Sequence, residues 1–121
     1  MPTSDPHIIP ELIDRLTVLQ PRSILDVGCG FGKVGYLARE YLEAWNGRTR
    51  REDWQVQVDG IEVCRANVQA HHRHLYTRIF VADALDQLPK LGHYDLIVCL
   101  DVIEHLTPED GRKLLRAMRE H

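Results

Sequence analysis

The sequence predicts an α/β fold, a three-layer sandwich around a mostly parallel sheet. Three observations predict it. Short apolar runs bounded by turn residues alternate with helix-spaced amphipathic segments along the 121 residues. The run from Ser23 to Gly32 reads as a buried strand ending on an acidic residue, then a glycine turn, then a helix start, which lets a ligand lie against bare backbone N–H groups. Asp26 to Gly32, Glu62, Asp83 and Asp101 all fall at expected strand carboxyl ends. That rim is where open α/β sheets bind ligands.

Each element follows from local pattern. Ile8, Ile9, Leu12, Ile13, Leu16 and Leu19 recur at helical spacing, so a helix is expected over His7 to Leu19, with Pro10 tolerated near its start. Gln20-Pro21-Arg22 breaks it before the first strand, Ser23 to Val27. Val34, Leu37, Ala38, Tyr41 and Leu42 share one face of a helix over Lys33 to Trp45, which Asn46-Gly47 ends. The polar stretch Arg48 to Asp53 reads as a loop, and Trp54 to Glu62 as the second strand. Arg65 to Leu75 forms a polar helix and Tyr76 to Ala82 the third strand. Tyr94 to Leu100 is the fourth, apolar enough to be buried on both faces. Thr107-Pro108-Glu109-Asp110 supplies a cap, a proline and an acidic first turn for a last helix through Arg119.

Length and composition bound the function. The chain reads as one domain, residues 1–121, with 44% hydrophobic and 27% charged residues, ordinary for a globular protein. A net charge of -3 gives no reason to expect a polyanion. Basic clusters (Arg48, Arg50, Arg51; Arg65 with His71, His72, Arg73, His74) carry no interleaved aromatic stacking platform, which argues against a nucleic-acid partner. His71, His72 and His74 read as a solvated helix end. No signal pattern or membrane-length apolar run appears. Cys29, Cys64 and Cys99 fit neither a disulfide framework nor paired zinc ligands, and read as small buried thiols in a reducing cytoplasm. A cytoplasmic protein is expected.

Two glycine patterns overlap at the first turn. Gly30-x-Gly32-x-x-Gly35 satisfies a dinucleotide fingerprint, but Gly28 already occupies the place directly after the strand. That fingerprint also wants an acidic residue about 20 positions on, where the chain offers Arg48 to Arg51; arginines there suit a 2′-phosphate, so an NADP-binding fragment stays open as a minor alternative. The other pattern is Asp26-x-Gly28-x-Gly30-x-Gly32.

Four segments in order, Leu25-Asp26-Val27-Gly28-Cys29-Gly30-Phe31-Gly32, Gly60-Ile61-Glu62, Val81-Ala82-Asp83-Ala84 and Tyr94 through Leu106, resemble the class I S-adenosylmethionine-dependent methyltransferases. The resemblance runs from Ile24 to about Leu115. It implies a Rossmann-like sheet of order 3-2-1-4, S-adenosylmethionine as cofactor and methyl transfer to an acceptor. Gly28, Gly30 and Gly32, with Cys29 in the same turn, would let backbone approach the methionine moiety and ribose. Asp26 would fix the turn and the cofactor's ammonium; it could also simply cap the turn. Glu62 would accept both ribose hydroxyls. Asp83 would accept the adenine amino group, beside the Ala84 N–H, or else cap the following segment. Leu100 and Asp101 would line the transfer passage.

A base is needed only for acceptors that lose a proton, and His105 is the candidate, against a structural turn role. Glu104-His105 locally resembles the metal site of small-RNA 2′-O-methyltransferases, but two residues are too few ligands, so no metal is expected. The stretch Asp101 to Leu106 lacks the Pro-Pro-aromatic pattern of many amino-group methylators, which favours a small-molecule oxygen or carbon acceptor. The family continues with a fifth strand and an antiparallel pair, whereas this chain ends at His121. The fourth strand is therefore expected at a sheet edge, implying self-association, a covering partner or a piece of a longer protein. A cofactor-binding or interaction module without transferase activity is the alternative function.

Overall fold

The four expected strands form and pair into one all-parallel sheet in the computed structural model of the chain, which describes residues 3–100 and 102–121. Strands β1 (Ser23–Val27), β2 (Gln57–Glu62), β3 (Arg78–Val81) and β4 (Leu96–Cys99) lie in the order β3-β2-β1-β4. Register aligns their carboxyl ends: Val27 stands beside Ile61 and Cys99, and Glu62 beside Val81. The acidic and glycine-rich segments that follow β1 to β3 therefore share one rim.

Three strands begin later than their composition suggests, for identifiable reasons. The Tyr94 and Asp95 N–H groups donate to the His121 carbonyl at 2.7 Å and the Ser23 hydroxyl at 2.8 Å, so β4 starts at Leu96 and not at Tyr94. The Gln55 and Val56 N–H groups donate to the buried Glu43 carboxylate at 2.7 and 3.0 Å, so the stretch after Trp54 is held by a side chain and not by a neighbouring strand. Tyr76 closes a helix through its N–H to the His72 carbonyl, so β3 starts at Arg78.

Helices α1 (Ile9–Leu19) and α2 (Lys33–Ala38) cover one face. The expected single helix from Lys33 is composite. After α2 it widens into a π-turn at Arg39–Glu43 and tightens to a 3₁₀ turn, Ala44–Asn46, ending on Gly47 at φ 86°. Arg39 and Glu43 at the ends of the wide turn are buried and paired at 3.3 Å, and Arg39 also donates to the Leu75 and Val56 carbonyls. Buried polar groups with that many partners explain the departure from regular spacing. Helix α3 (Ala70–Leu75) starts later than expected, after a 3₁₀ turn at Arg65–Asn67. Helix α4 (Ala84–Gln87), which the sequence reading did not assign, and α5 (Pro108–Arg119) cover the opposite face. Thr107 caps α5 by accepting from the Asp110 N–H at 3.1 Å.

β1 is buried on both faces. Ile24 packs with Leu12, Leu16, Val34, Leu42 and Val58; Leu25 and Val27 pack with Ile61, Leu88 and Leu114. This is the three-layer arrangement, with β4 paired to β1 alone among the described residues. No described helix is long and apolar enough to cross a membrane.

Candidate cofactor site

A cavity of about 470 Å³ opens at the carboxyl ends of the strands. That volume lies in the range of small-molecule and cofactor sites. Of the candidate residues, Asp26, Gly28, Cys29, Gly30, Glu62, Asp83, Ala84, Leu100 and His105 line it. Gly32 does not: it caps α2 at φ 102° and backs onto the rings of His71 and His72. Asp101 lies outside the described residues.

The loop conformation explains why the turn is glycine-rich. Gly28 and Gly30 adopt φ 73° and 51°, left-handed values that L side chains resist. A Cβ on Gly28 would also collide with Cγ2 of Val102. The Gly28 and Cys29 N–H groups both donate to the Ile61 carbonyl, at 2.8 and 3.0 Å, which binds the loop to the end of β2.

Glu62 is the second tie. It is 6% exposed, and its Oε2 accepts from the Gly30 N–H at 2.9 Å. Its Oε1 accepts from the Cys64 N–H at 3.1 Å and the Asn67 side chain at 3.3 Å. One carboxylate thus braces both loops of the rim, and the helix expected from Arg65 is interrupted by the extended backbone of Val68 and Gln69.

Asp26 is buried, and its Oδ2 accepts from the Tyr76 hydroxyl at 2.6 Å. The same phenol oxygen accepts from the Gly35 N–H at 3.1 Å, in the first turn of α2. Burial pushes the Asp26 carboxyl up to about 7; the Tyr76 hydrogen bond opposes that rise, and the nearby Glu62 charge adds to it. Burial also raises the Cys29 thiol, aided by Asp26 and Glu62, so this thiol stays protonated and inert. Cys64 is exposed, contrary to the expectation of three buried thiols.

The largest correction concerns the histidines. His72 is fully buried, and its Nε2 lies 2.7 Å from the Gly30 carbonyl. His71 Nε2 lies 2.7 Å from the Phe31 carbonyl, with its ring 4.8 Å from the Phe31 ring. Neither is a solvated helix end; of the trio only His74 is exposed. The signal that could have found them is the break at Val68-Gln69, which starts α3 late and turns its first residues under the glycine loop.

The remaining rim is more open. Asp83 is exposed, and its Oδ1 accepts from the Leu85 N–H at 2.8 Å, capping α4. Lys33, the one lysine or arginine lining the cavity among the described residues, donates to the carbonyl and hydroxyl oxygens of Ser4 at 2.7 and 2.8 Å. His105 is exposed, with Nε2 3.9 Å from Glu104 Oε1.

A family model described as a methyltransferase domain matches residues 5–121. The chain belongs to the class I S-adenosylmethionine-dependent methyltransferase family. Two curated relatives agree with this membership. An ajmaline N-methyltransferase of Rauvolfia serpentina is 29% identical over 100 residues, 82% of this chain and 32% of that protein. A malonyl-[acyl-carrier protein] O-methyltransferase of Halalkalibacterium halodurans is 31% identical over 104 residues, 83% of this chain and 36% of that protein. The chain thus spans about a third of the length of either relative.

Proposed function

We propose that the cavity holds S-adenosylmethionine and that the protein containing this chain transfers its methyl group to a small-molecule acceptor. The observation that carries the reading is the charge pattern of the wall. Glu62 and Asp83, with Asp26 able to ionise near pH 7, face a ligand bearing an ammonium and a sulfonium, while Lys33, the single lysine or arginine of the wall among the described residues, suits its carboxylate. Charge complementarity of this kind selects among ligands of similar size.

When bound, S-adenosylmethionine supplies a methyl group on an already activated sulfonium, so positioning provides much of the acceleration. Gly28 and Gly30 bring backbone to the ligand, and Glu62 takes the ribose hydroxyls while bracing the loop. Asp26 attracts the ammonium, and Asp83 uses the oxygen not needed for its cap to meet the adenine amino group beside the Ala84 N–H. Leu100 borders both this cavity and a hollow lined by Ser4, Asp5, His7, Ile8 and Cys99, which we assign to the acceptor. His105, exposed at the mouth, accepts a proton from acceptors that must lose one. Of the two relatives, the one named for ajmaline supports a small acceptor, the other is named for a malonyl group on a carrier protein, and the two divide between nitrogen and oxygen.

An NADP-binding reading finds little support. Arg48 is spent on Glu43 at 2.7 Å and Arg51 on the His74 carbonyl at 3.1 Å, and among the described residues no arginine lines the cavity. Adding S-adenosylhomocysteine to ¹⁵N-labelled protein tests the site. Amide shifts concentrated at Gly28 to Phe31, Glu62 and Ala84 are expected; shifts confined to other surfaces would remove the assignment.

A further inference from the structure

His72 is wired so that only one of its two neutral forms fits. Its Nδ1 accepts from the Gln69 N–H at 3.0 Å, and a nitrogen that accepts carries no proton. The ring proton is therefore on Nε2, which donates to the Gly30 carbonyl at 2.7 Å. One buried ring thus joins the start of α3 to the glycine loop, packed against the rings of His71 at 4.2 Å and Tyr76 at 6.1 Å.

The consequence lies in the peptide that follows Gly30. Gly30 is gripped on both sides, its N–H on Glu62 and its carbonyl on His72. A planar trans peptide sets its carbonyl and its N–H on opposite sides. A Gly30 carbonyl held by His72 therefore turns the Phe31 N–H away from the histidine. Gly30 and Phe31 line the cavity, and neither His71 nor His72 does. The Phe31 N–H is thereby directed to the ligand side. His71, donating from Nε2 to the Phe31 carbonyl at 2.7 Å, fixes the next peptide in the same manner.

We propose that His72 is a positioning residue for the ligand, setting the direction of the Gly30–Phe31 peptide so that the Phe31 N–H is presented to an anionic or polar group in the cavity. The proposal rests on reading the cavity as the cofactor site.

Two substitutions separate the two nitrogens. In His72→Asn a side-chain oxygen near the Nδ1 position still caps α3, but nothing reaches Gly30. In His72→Gln a side-chain N–H near the Nε2 position still reaches Gly30, but the cap is lost. Both variants lose ring packing and melt below wild type, so stability does not distinguish them; binding does. Calorimetric titration with S-adenosylhomocysteine should give about tenfold weaker binding for His72→Asn and rescue to within about threefold of wild type for His72→Gln. Equal weakening of both, or no weakening of His72→Asn, overturns the proposal.

If neither variant folds, the wild-type protein decides. Long-range ¹⁵N–¹H correlation should show His72 protonated on Nε2, and saturating S-adenosylhomocysteine should shift the Phe31 amide proton downfield. A proton on Nδ1, or an unmoved Phe31 amide, overturns the proposal. Wild-type protein that binds no S-adenosylhomocysteine overturns the cofactor reading instead, and with it the ligand role of His72, while the ring-nitrogen measurement still tests the clamp.

Discussion

The Tyr76 hydroxyl donates to Asp26 Oδ2 at 2.6 Å, joining the residue that closes α3 to the carboxylate of β1. The bond crosses the layer between sheet and helices, and the same oxygen receives the Gly35 N–H of α2. Three elements that shape the cavity therefore meet at one phenol. Tyr76→Phe leaves Asp26 without its donor and Gly35 without its acceptor. We expect a loss of about 1–3 kcal/mol at pH 8 and a smaller loss at pH 5.5, where Asp26 is protonated. Urea unfolding at the two pH values checks it; an equal loss at both would mean that the carboxylate is not involved.

Asp26 itself makes stability pH-dependent. Its folded-state value of about 7 lies above the ordinary 3.8, so between those values the native protein keeps a proton that the unfolded chain has released. Native stability therefore falls as pH rises from about 4 to 7, by at most about 4 kcal/mol from this group. Asp26→Asn should flatten that part of the profile and raise stability relative to wild type at pH 8. Parallel profiles for the two proteins would show that Asp26 ionises at an ordinary pH.

The same carboxyl links ligand binding to protons. A cationic ligand beside Asp26 favours its charged form. S-adenosylmethionine binding at pH 7 should thus release a fraction of a proton and tighten between pH 6 and 8. Calorimetry in buffers of different ionisation enthalpy measures the release directly. Proton uptake, or binding that weakens as pH rises, would contradict the assignment of Asp26 to the ammonium.

Gly35 is a glycine for a packing reason, not a backbone one. A Cβ there would lie 2.5 Å from Cε2 and 2.6 Å from Cζ of Tyr76. Gly35→Ala should cost about 1–3 kcal/mol through overpacking and loosen the Tyr76–Asp26 bond. A thermal melt with unchanged midpoint would show that α2 can shift away without penalty.

How much of this was legible in the sequence depends on the range of the contact that decides each feature. β1, the glycine turn and the Thr107 cap are set by residues within a few positions, so pattern suffices. Strand order came from the family resemblance, not from periodicity. Glu62 was legible as a strand-end carboxylate, but not as the brace of Gly30 and Cys64, because its loop contacts depend on how two rims meet. His72 was misread for the same reason. Its polarity suggested solvent, yet its partner lies 42 residues away in a loop whose carbonyl needs a donor. Gly35, read as the third glycine of a dinucleotide fingerprint, answers to an aromatic ring 41 residues later. Helix α4 was missed because its four residues give no periodic signal, and Asp83, read mainly as a ligand, caps it.

The most direct test of the cofactor reading is calorimetric titration of the folded chain with S-adenosylhomocysteine, run beside NADPH and repeated on Glu62→Ala. The expected result is one S-adenosylhomocysteine per chain, no heat from NADPH, and roughly 10- to 100-fold weaker binding once the carboxylate is gone. Folded protein that gives no S-adenosylhomocysteine heat, or a Glu62→Ala variant that binds it unchanged, would contradict the account.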